Sequence, residues 1–272
     1  MKGNTMIKAV VFDWAGTTVD YGSLAPVIAF KAAFSDAGIE INDQEIRRDM
    51  GITKWDHIGK LLKMPEIFQQ WEKEYNRLPD FQDRRKLYED FQSSLLSYVK
   101  DSTSLKPYTL DAFNYLKDQG IRVATTTGYT PEMMQLVQNS AYKLGYQPEL
   151  VLTSEDVDGD GRPSAKMIQK IMSDFNLDDP KELVKIGDTI VDIQEGKNAG
   201  VNTIGIVEGS SLMGLSEKEF DSLFDEEKEN IRKRVVNEFA KANADIIINN
   251  LSELPDAIKF LNQTEEKIAN GK

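Results

Sequence analysis

Short apolar runs alternate with helical stretches along most of this chain, and that alternation limits the folds that the chain can adopt. The first run, residues 7–12, is rich in β-branched side chains and ends just before an aspartate, which is typical of a buried parallel strand. Strands joined through helices form a parallel sheet covered on both faces. The sequence therefore predicts an α/β, doubly wound, Rossmann-like core. Further strands are predicted at residues 121–126, 150–153, 183–186, 203–207 and 246–248, with helices at 109–119, 131–144, 165–175 and 192–199.

One segment breaks this alternation, because no convincing strand pattern occurs between about residues 21 and 101. The simplest interpretation is an α-helical cap domain, residues 21–101, inserted after the first strand, while residues 1–20 and 102–272 form the core. A charged segment at residues 210–242 is predicted to be helical with a solvated face. Within the cap, helices are predicted at residues 26–37, 44–50, 54–62, 65–78 and 81–99.

The chain is acidic, with 33 lysines and arginines against 45 aspartates and glutamates and a formal net charge of -12. Such a surface repels nucleic-acid phosphates and anionic lipids, so neither nucleic acid nor a membrane is an expected partner. The lack of cysteine excludes disulfides and thiolate chemistry. No run approaches the roughly 20 apolar residues of a membrane helix, and no secretory signal pattern is present. The expected location is therefore cytoplasmic, and an anionic substrate would need local cations at its site.

Polar residues follow the ends of the predicted strands. In open parallel sheets, ligands bind beyond the carboxyl ends of the strands, so residues far apart in the chain are expected to converge there. One aspartate follows the first strand and another follows the fourth, with a third aspartate four residues later. The residues at these strand ends are Asp13, Thr127, Gly128, Arg162, Asp188 and Asp192.

The segments FDWAGTTVD, TTG, GRP and GDTIVD resemble, in this order, the four motifs of the haloacid dehalogenase superfamily. The resemblance covers nearly the whole chain and includes the position of the cap. DWAGTTVDYG, MGITKWDH and TTTGYTPEMM are similar, more narrowly, to the phosphonoacetaldehyde hydrolases of that superfamily. This resemblance implies a magnesium-dependent homodimer that hydrolyses the carbon–phosphorus bond of a small phosphonate, phosphonoacetaldehyde, to acetaldehyde and phosphate.

The resemblance also implies roles for the acidic residues. Asp13 is expected to attack phosphorus and form an aspartyl phosphate. The expected magnesium ligands are the carboxylates of Asp13 and Asp188 and the backbone carbonyl of Ala15, since this hard cation prefers oxygen. Asp192 is expected to support the acidic cluster or a metal-bound water. A turn or helix-capping role is the alternative for each aspartate.

The phosphoryl group is expected to meet the second and third motifs. Thr127 offers a hydroxyl, Gly128 lets the backbone approach closely, and Arg162 offers planar donors that fit a phosphoryl group. After GRP the family more often has Tyr–Pro where this chain has Ser164 and Ala165, which bears on how Arg162 is held. Met50, Gly51 and Tyr129 match family positions and are expected to lie near the substrate.

Ala15 and Lys54 together point to the leaving group. Most phosphatases of the superfamily place an aspartate two residues after the nucleophile to protonate a leaving oxygen, and Ala15 cannot do so. A carbon leaving group instead needs an electron sink, which Lys54 would supply as an imine with the aldehyde. Burial or nearby positive charge should lower the pKa of Lys54. His57, the single histidine, lies three residues further on and is a candidate proton shuttle or a packed cap residue.

Two other functions remain open at this point. A haloacid dehalogenase-like phosphatase for a small metabolite would leave Ala15 and Lys54 unexplained. A degenerate phosphate-binding or interaction protein would leave the intact set of strand-end residues unexplained. Phosphate release from phosphonoacetaldehyde, compared with release from simple phosphate esters, separates all three hypotheses.

Overall fold

The protein contains a parallel sheet at its centre, seen in a computed structural model that describes residues 6–99 and 104–269. The six strands of this sheet have the order β3-β2-β1-β4-β5-β6, and every pair is parallel. All the predicted strands are present, and their bounds differ from the predicted ones only at the ends. The strands are β1 (Ala9–Phe12), β2 (Arg122–Thr126), β3 (Leu150–Leu152), β4 (Leu183–Gly187), β5 (Asn202–Ile206) and β6 (Ile246–Ile248).

The central strand β1 shows why the sheet is buried on both faces. Its side chains alternate, so that Ala9 and Val11 join one hydrophobic cluster while Val10 and Phe12 join another. Helix α8 contributes to the first cluster, and helices α6, α7 and α12 contribute to the second. The predicted doubly wound core is confirmed. The helices after the first crossover are α6 (Thr109–Asp118), α7 (Pro131–Lys143), α8 (Lys166–Phe175), α9 (Ile190–Ala199), α10 (Glu217–Asp221), α11 (Asp225–Lys241) and α12 (Leu254–Ala269).

A helical insertion separates β1 from β2, as predicted. Its interior is built from large apolar side chains such as Phe34, Trp71 and Phe91, all nearly inaccessible to solvent. The hydrophobic cluster that contains Val10 and Phe12 of β1 also contains these side chains, so the sheet and the insertion share one apolar interior. The predicted domain boundary at residues 101 and 102 lies outside the described residues. The inserted helices are α1 (Leu24–Asp36), α2 (Asp43–Arg47), α3 (Lys54–Leu61), α4 (Pro65–Tyr75) and α5 (Phe81–Val99).

The segment at residues 210–242 differs from its prediction. Residues 210–216 form turns rather than a helix, and the helices α10 and α11 begin only after them. Ser210 and Ser211 are buried, so this part of the segment is not a solvated helix face. Gly214 adopts a positive φ of 74°, and the side chain of Ser216 caps α10, which explains the late start. Across the described residues, each helix is too short or too polar to cross a bilayer.

Candidate active site

A narrow cavity lies where the carboxyl ends of the central strands meet the inserted helices. It encloses about 20 Å³, little more than one water molecule occupies. The insertion contributes Lys54 on α3 together with the loop that precedes it, and the sheet contributes the loops after β1, β2, β3 and β4. The lining residues are Asp13, Ala15, Ser23, Pro26, Met50, Gly51, Lys54, Thr127, Gly128, Tyr129, Arg162 and Thr189.

Three buried aspartates form an acidic cluster beside this cavity. Adjacent strands bring them together, because Phe12 pairs with Ile186 in register and each strand then leads into its aspartate. Oxygens of Asp13, Asp188 and Asp192 lie within 4.8 Å of one another. Burial, and then the charge of its neighbours Asp13 and Asp192, raise the pKa of Asp188. A divalent cation would relieve this repulsion, so the cluster has the chemistry of a metal site.

The three aspartates differ in how far their oxygens are already engaged in hydrogen bonds. Thr17 and the backbone N–H of Ser211 each donate one bond to Asp188, at 3.0 and 2.7 Å, which leaves lone pairs on both of its oxygens. Asp192 is more fully engaged. Its Oδ2 accepts from the hydroxyl of Thr189 at 2.6 Å and from the backbone N–H of that residue at 3.1 Å. This division suits Asp13 and Asp188 as ligands and Asp192 as support.

Arg162 connects the acidic cluster to the cavity. Its Nη1 lies 2.7 Å from Oδ1 of Asp13 and 2.5 Å from Oδ1 of Asp192. Burial opposes the guanidinium charge, but Asp13 and Asp192 outweigh it and hold the pKa of Arg162 above its usual value. The buried Nε has no hydrogen-bond partner within the described structure. Arg162 therefore keeps a charge-assisted donor available for an anion in the cavity.

The insertion and the loops after the strands approach each other closely at two glycines. Gly51 adopts a φ of 101°, and a Cβ there would lie 2.7 Å from Oγ1 of Thr189. A Cβ on Gly128 would lie 2.7 Å from the carbonyl oxygen of Ile52. Beside Gly128, the hydroxyl of Thr127 accepts a hydrogen bond from the backbone N–H of Tyr129 at 3.2 Å, so its own proton is free to be donated.

Lys54 is a buried amine at the start of α3. Its Nζ lies 5.9 Å from the ring centroid of Phe30 and 5.7 Å from that of Tyr129. Burial, followed by the positive charge of Arg162, lowers its pKa to about 8. A substantial fraction of this amine is therefore neutral near physiological pH, as nucleophilic attack requires.

His57 does not line the cavity. Its ring is fully buried and packs on Phe30, with ring centroids 4.4 Å apart. Burial, and then the charge of Lys54, lower its pKa to about 3, so the imidazole is neutral. The structure therefore places His57 behind Lys54 rather than against the cavity, while the other predicted residues line the cavity or form the acidic cluster.

Several residues near the site escaped the sequence analysis. Thr17 and Ser211 bond to Asp188, and Thr189, Ser23 and Pro26 line the cavity.

Buried lysines also lie nearby. Lys106 donates to the carbonyls of Gly16 and Glu208, and Lys185 contacts Asp192 and Glu195. Only Lys185 had a usable signal in the sequence, since a charged residue inside an apolar central strand is rare.

Comparisons with known proteins agree with this geometry. Residues 7–200 match the family model described as haloacid dehalogenase-like hydrolase. A phosphonoacetaldehyde hydrolase of Latilactobacillus sakei is 47% identical over 265 residues, covering 97% of this chain and 98% of that protein. One from Bacillus cytotoxicus is 40% identical over 263 residues, covering 95% of this chain and 98% of that protein.

A solved structure is also similar over the whole chain. The crystal structure of a phosphonoacetaldehyde hydrolase like protein from Oleispira antarctica matches with a TM-score of 0.93 and 31% identity, covering 100% of this chain and 99% of that one. Full-length identity to several enzymes of one name carries more weight than a shared fold, which many activities can use. The chain therefore belongs to the haloacid dehalogenase-like hydrolases and, within them, to the phosphonoacetaldehyde hydrolase family.

Proposed function

We propose that this protein hydrolyses phosphonoacetaldehyde to acetaldehyde and inorganic phosphate. One observation carries the proposal. A buried amine, Lys54, and a buried carboxylate, Asp13, line the same cavity, while the neighbouring position of a phosphatase's general acid is occupied by Ala15. A site with an imine-forming group and without that acid suits cleavage of phosphorus from carbon rather than from oxygen.

In the first step, the neutral amine of Lys54 adds to the aldehyde carbon, and uptake of one proton with loss of water leaves a protonated imine. The lowered pKa of Lys54, caused by burial and then by the charge of Arg162, provides the neutral amine. His57, buried and neutral behind Lys54, is proposed to influence these proton transfers from there rather than through contact with the substrate.

In the second step, a carboxylate oxygen of Asp13 attacks phosphorus, and the electron pair of the P–C bond moves into the imine. The products are an aspartyl phosphate and an enamine. Thr127 and Arg162 hold the phosphoryl oxygens, and the Gly128 backbone lies close enough to contact them. Water then hydrolyses the aspartyl phosphate, and protonation and hydrolysis of the enamine release acetaldehyde and restore Lys54.

The metal of this site is proposed to be Mg²⁺, held by Asp13, Asp188 and the carbonyl of Ala15, with Asp192 in support. The donors are all oxygen, as this cation prefers, and the cluster lies next to the attacking carboxylate. When bound, the cation supplies charge neutralisation between a phosphonate and the carboxylate that must approach it.

Residues 21–101 are proposed to act as a cap domain over the core. The cavity holds little more than one water molecule, so the inserted helices are proposed to move away from the strand ends to admit the substrate. The homodimer implied by the resemblance is likewise a proposal, and light scattering on the purified protein would measure it.

The deciding experiment measures phosphate release from phosphonoacetaldehyde and from a panel of phosphate esters, with Mg²⁺ and with excess chelator. We expect Mg²⁺-dependent release from the phosphonate and little from the esters. Preferential hydrolysis of an ester would instead support the phosphatase alternative. Full activity in chelator would overturn the assignment of the metal.

A further inference from the structure

Buried charges form a continuous chain that runs from inside the sheet to the cavity. Their signs alternate, and each is in contact with the next. Glu195 lies 2.9 Å from Lys185, and Lys185 lies 3.1 Å from Asp192. Asp192 lies 2.5 Å from Arg162, which in turn lies 2.7 Å from Asp13. The catalytic scheme above gives no role to the first two members.

Lys185 and Glu195 are fully buried in an unusual place for charges. Lys185 stands in the middle of β4, opposite Val11 of β1. Its Nζ donates to the hydroxyl of Thr126 at the end of β2, at 2.7 Å, and that hydroxyl donates to Glu195 at 2.9 Å. Replacing such a buried pair by uncharged side chains is often neutral or stabilising. Stability alone therefore gives no reason for charges here.

The contact between Lys185 and Asp192 gives a reason for charged side chains at this buried place. Oδ1 of Asp192 is shared between Arg162 and Lys185, whereas its Oδ2 is occupied by Thr189. If Arg162 turned its donors to a phosphoryl group, Asp192 would lose its principal cation in a fully buried position. Lys185 remains in place to compensate that charge. Burial would lower the pKa of Lys185, but Glu195 and Asp192 outweigh burial and keep the ammonium charged.

We propose that Lys185 and Glu195 form a counter-ion pair that positions Asp192, and through it Arg162, for binding the phosphoryl group. Both are positioning residues, since neither lines the cavity. The inference rests on the proposed function in one respect, namely that a phosphoryl group occupies the site. It does not depend on which phosphoryl compound is hydrolysed.

The test compares the wild type, Lys185→Met and the double variant Lys185→Met/Glu195→Gln. The first variant leaves Glu195 buried without its cation and is expected to lower Tm. The double variant removes that unpaired charge, so its Tm should return close to the wild-type value. For each protein, calorimetry measures the binding of inorganic phosphate in the presence of Mg²⁺, and kcat and KM are measured on phosphonoacetaldehyde.

We expect the double variant to recover Tm while phosphate still binds about tenfold more weakly or worse, the size of one lost charge-assisted interaction. In an Arg162→Lys background the same double substitution should weaken phosphate binding much less, because its effect passes through Arg162. Recovery of phosphate affinity together with Tm would overturn the inference, as would an undiminished effect in the Arg162→Lys background. A wild type that binds phosphate but leaves phosphonoacetaldehyde intact would refute the proposed function alone.

Discussion

The side chain two positions after Asp13 is proposed to determine which leaving group this site can assist. Ala15 lines the cavity, so a carboxylate there would face the reacting atoms. A general acid protonates a leaving oxygen, but it offers little to a carbon that departs as an enamine. Lys54, which lines the same cavity, is proposed to supply the electron sink that a carbon leaving group needs. A carbon leaving group would explain both the lack of an acid at Ala15 and the presence of an amine at Lys54.

Ala15→Asp is expected not to raise kcat on phosphonoacetaldehyde. It is expected to raise phosphate-ester hydrolysis by up to about 10²-fold, the lower end of what general acid–base catalysis contributes. Phosphate release from both substrate types measures the change. Ala15→Asn is the matched control, because it has nearly the same shape and cannot donate a proton as an acid. A large gain on the phosphonate would contradict this account of Ala15.

Lys54→Arg is expected to lower kcat on phosphonoacetaldehyde by roughly three or more orders of magnitude, because guanidinium stays protonated and cannot form the imine. Borohydride added with substrate should reduce the wild-type imine, and mass spectrometry should place the adduct on the peptide containing Lys54. Asp13→Ala should still be trapped at Lys54 and yet release no phosphate. Absence of any borohydride adduct in the wild type would refute the imine.

The pH dependence follows from the lowered pKa of Lys54, about 8. Lowering the pKa of an amine makes the neutral form available at lower pH, so about a tenth of Lys54 is neutral at pH 7. Since kcat/KM reports the free enzyme, it should rise about tenfold per pH unit below pH 8 and level off above it. The rate of borohydride trapping should follow the same curve. A rise that continues to pH 10 would mean that Lys54 titrates as an ordinary lysine.

At the scale of elements, the site depends on how closely α3 and its preceding loop approach the ends of β2 and β4. Gly51 makes this approach possible, since it combines a positive φ with a position where a Cβ would meet Thr189. Thr189 in turn bonds to Asp192, so the contact lies directly against the acidic cluster. The alignment of Lys54 with Asp13 is therefore expected to depend on how closely the Gly51 backbone fits against the Thr189 side chain.

Gly51→Ala is expected to lower kcat/KM by about 10²-fold, because a displacement of about 1 Å between reacting groups has an effect of that order. Gly120→Ala is the matched control. Gly120 also has a positive φ, 69°, but nothing lies within 4 Å of its would-be Cβ. Both variants should lose about 1–2 kcal/mol of folding stability from the left-handed backbone, with a further loss in Gly51→Ala from the close contact, and only Gly51→Ala should lose activity. Equal activities for the two variants would show that the close contact has no catalytic importance.

At the scale of the whole molecule, the acidic cluster couples metal binding to stability. Buried carboxylates that repel one another oppose folding, and a cation bound only by the folded state adds stability that grows with the logarithm of its concentration above Kd. The same cation is the one that catalysis is proposed to need. A single titration with Mg²⁺ can therefore follow both folding stability and catalytic activity.

Mg²⁺ is expected to stabilise the folded protein by about 2.7 kcal/mol at a concentration one hundred times its Kd, and Tm should keep rising with the logarithm of the Mg²⁺ concentration. Asp188→Asn should shift the onset of this rise to higher Mg²⁺, because it removes one charge from the ligand set. Asp118→Asn, at an exposed position, is the control and should leave the titration unchanged. Thermal unfolding at a series of Mg²⁺ concentrations measures all three proteins. A Tm independent of Mg²⁺ in the wild type would refute metal binding at the cluster.

Much of the fold and of the candidate site could be predicted from local sequence patterns. The six strands, the helical insertion after β1 and the convergence of Asp13, Thr127, Arg162 and Asp188 were all predictable, because strand runs and strand-end residues are properties of contiguous sequence. The family resemblance, rather than a local pattern, indicated that Lys54 belongs to the site. Helix α12 was not predicted, and residues 210–216 were predicted as helix although they form turns, since their course depends on packing and on a single glycine.

The tertiary structure alone decided how the site is held. The sequence by itself determined which chemical groups are present, namely a nucleophilic carboxylate, an amine and an arginine, and it excluded a general acid at Ala15. It did not determine that His57 lies behind the cavity, that Ser211 bonds to Asp188, or that Lys185 and Glu195 sit beneath Asp192. The reason is physical: burial, pKa and hydrogen bonding depend on neighbours that are distant in the chain, and only the packed sheet and its inserted helices bring those neighbours into contact.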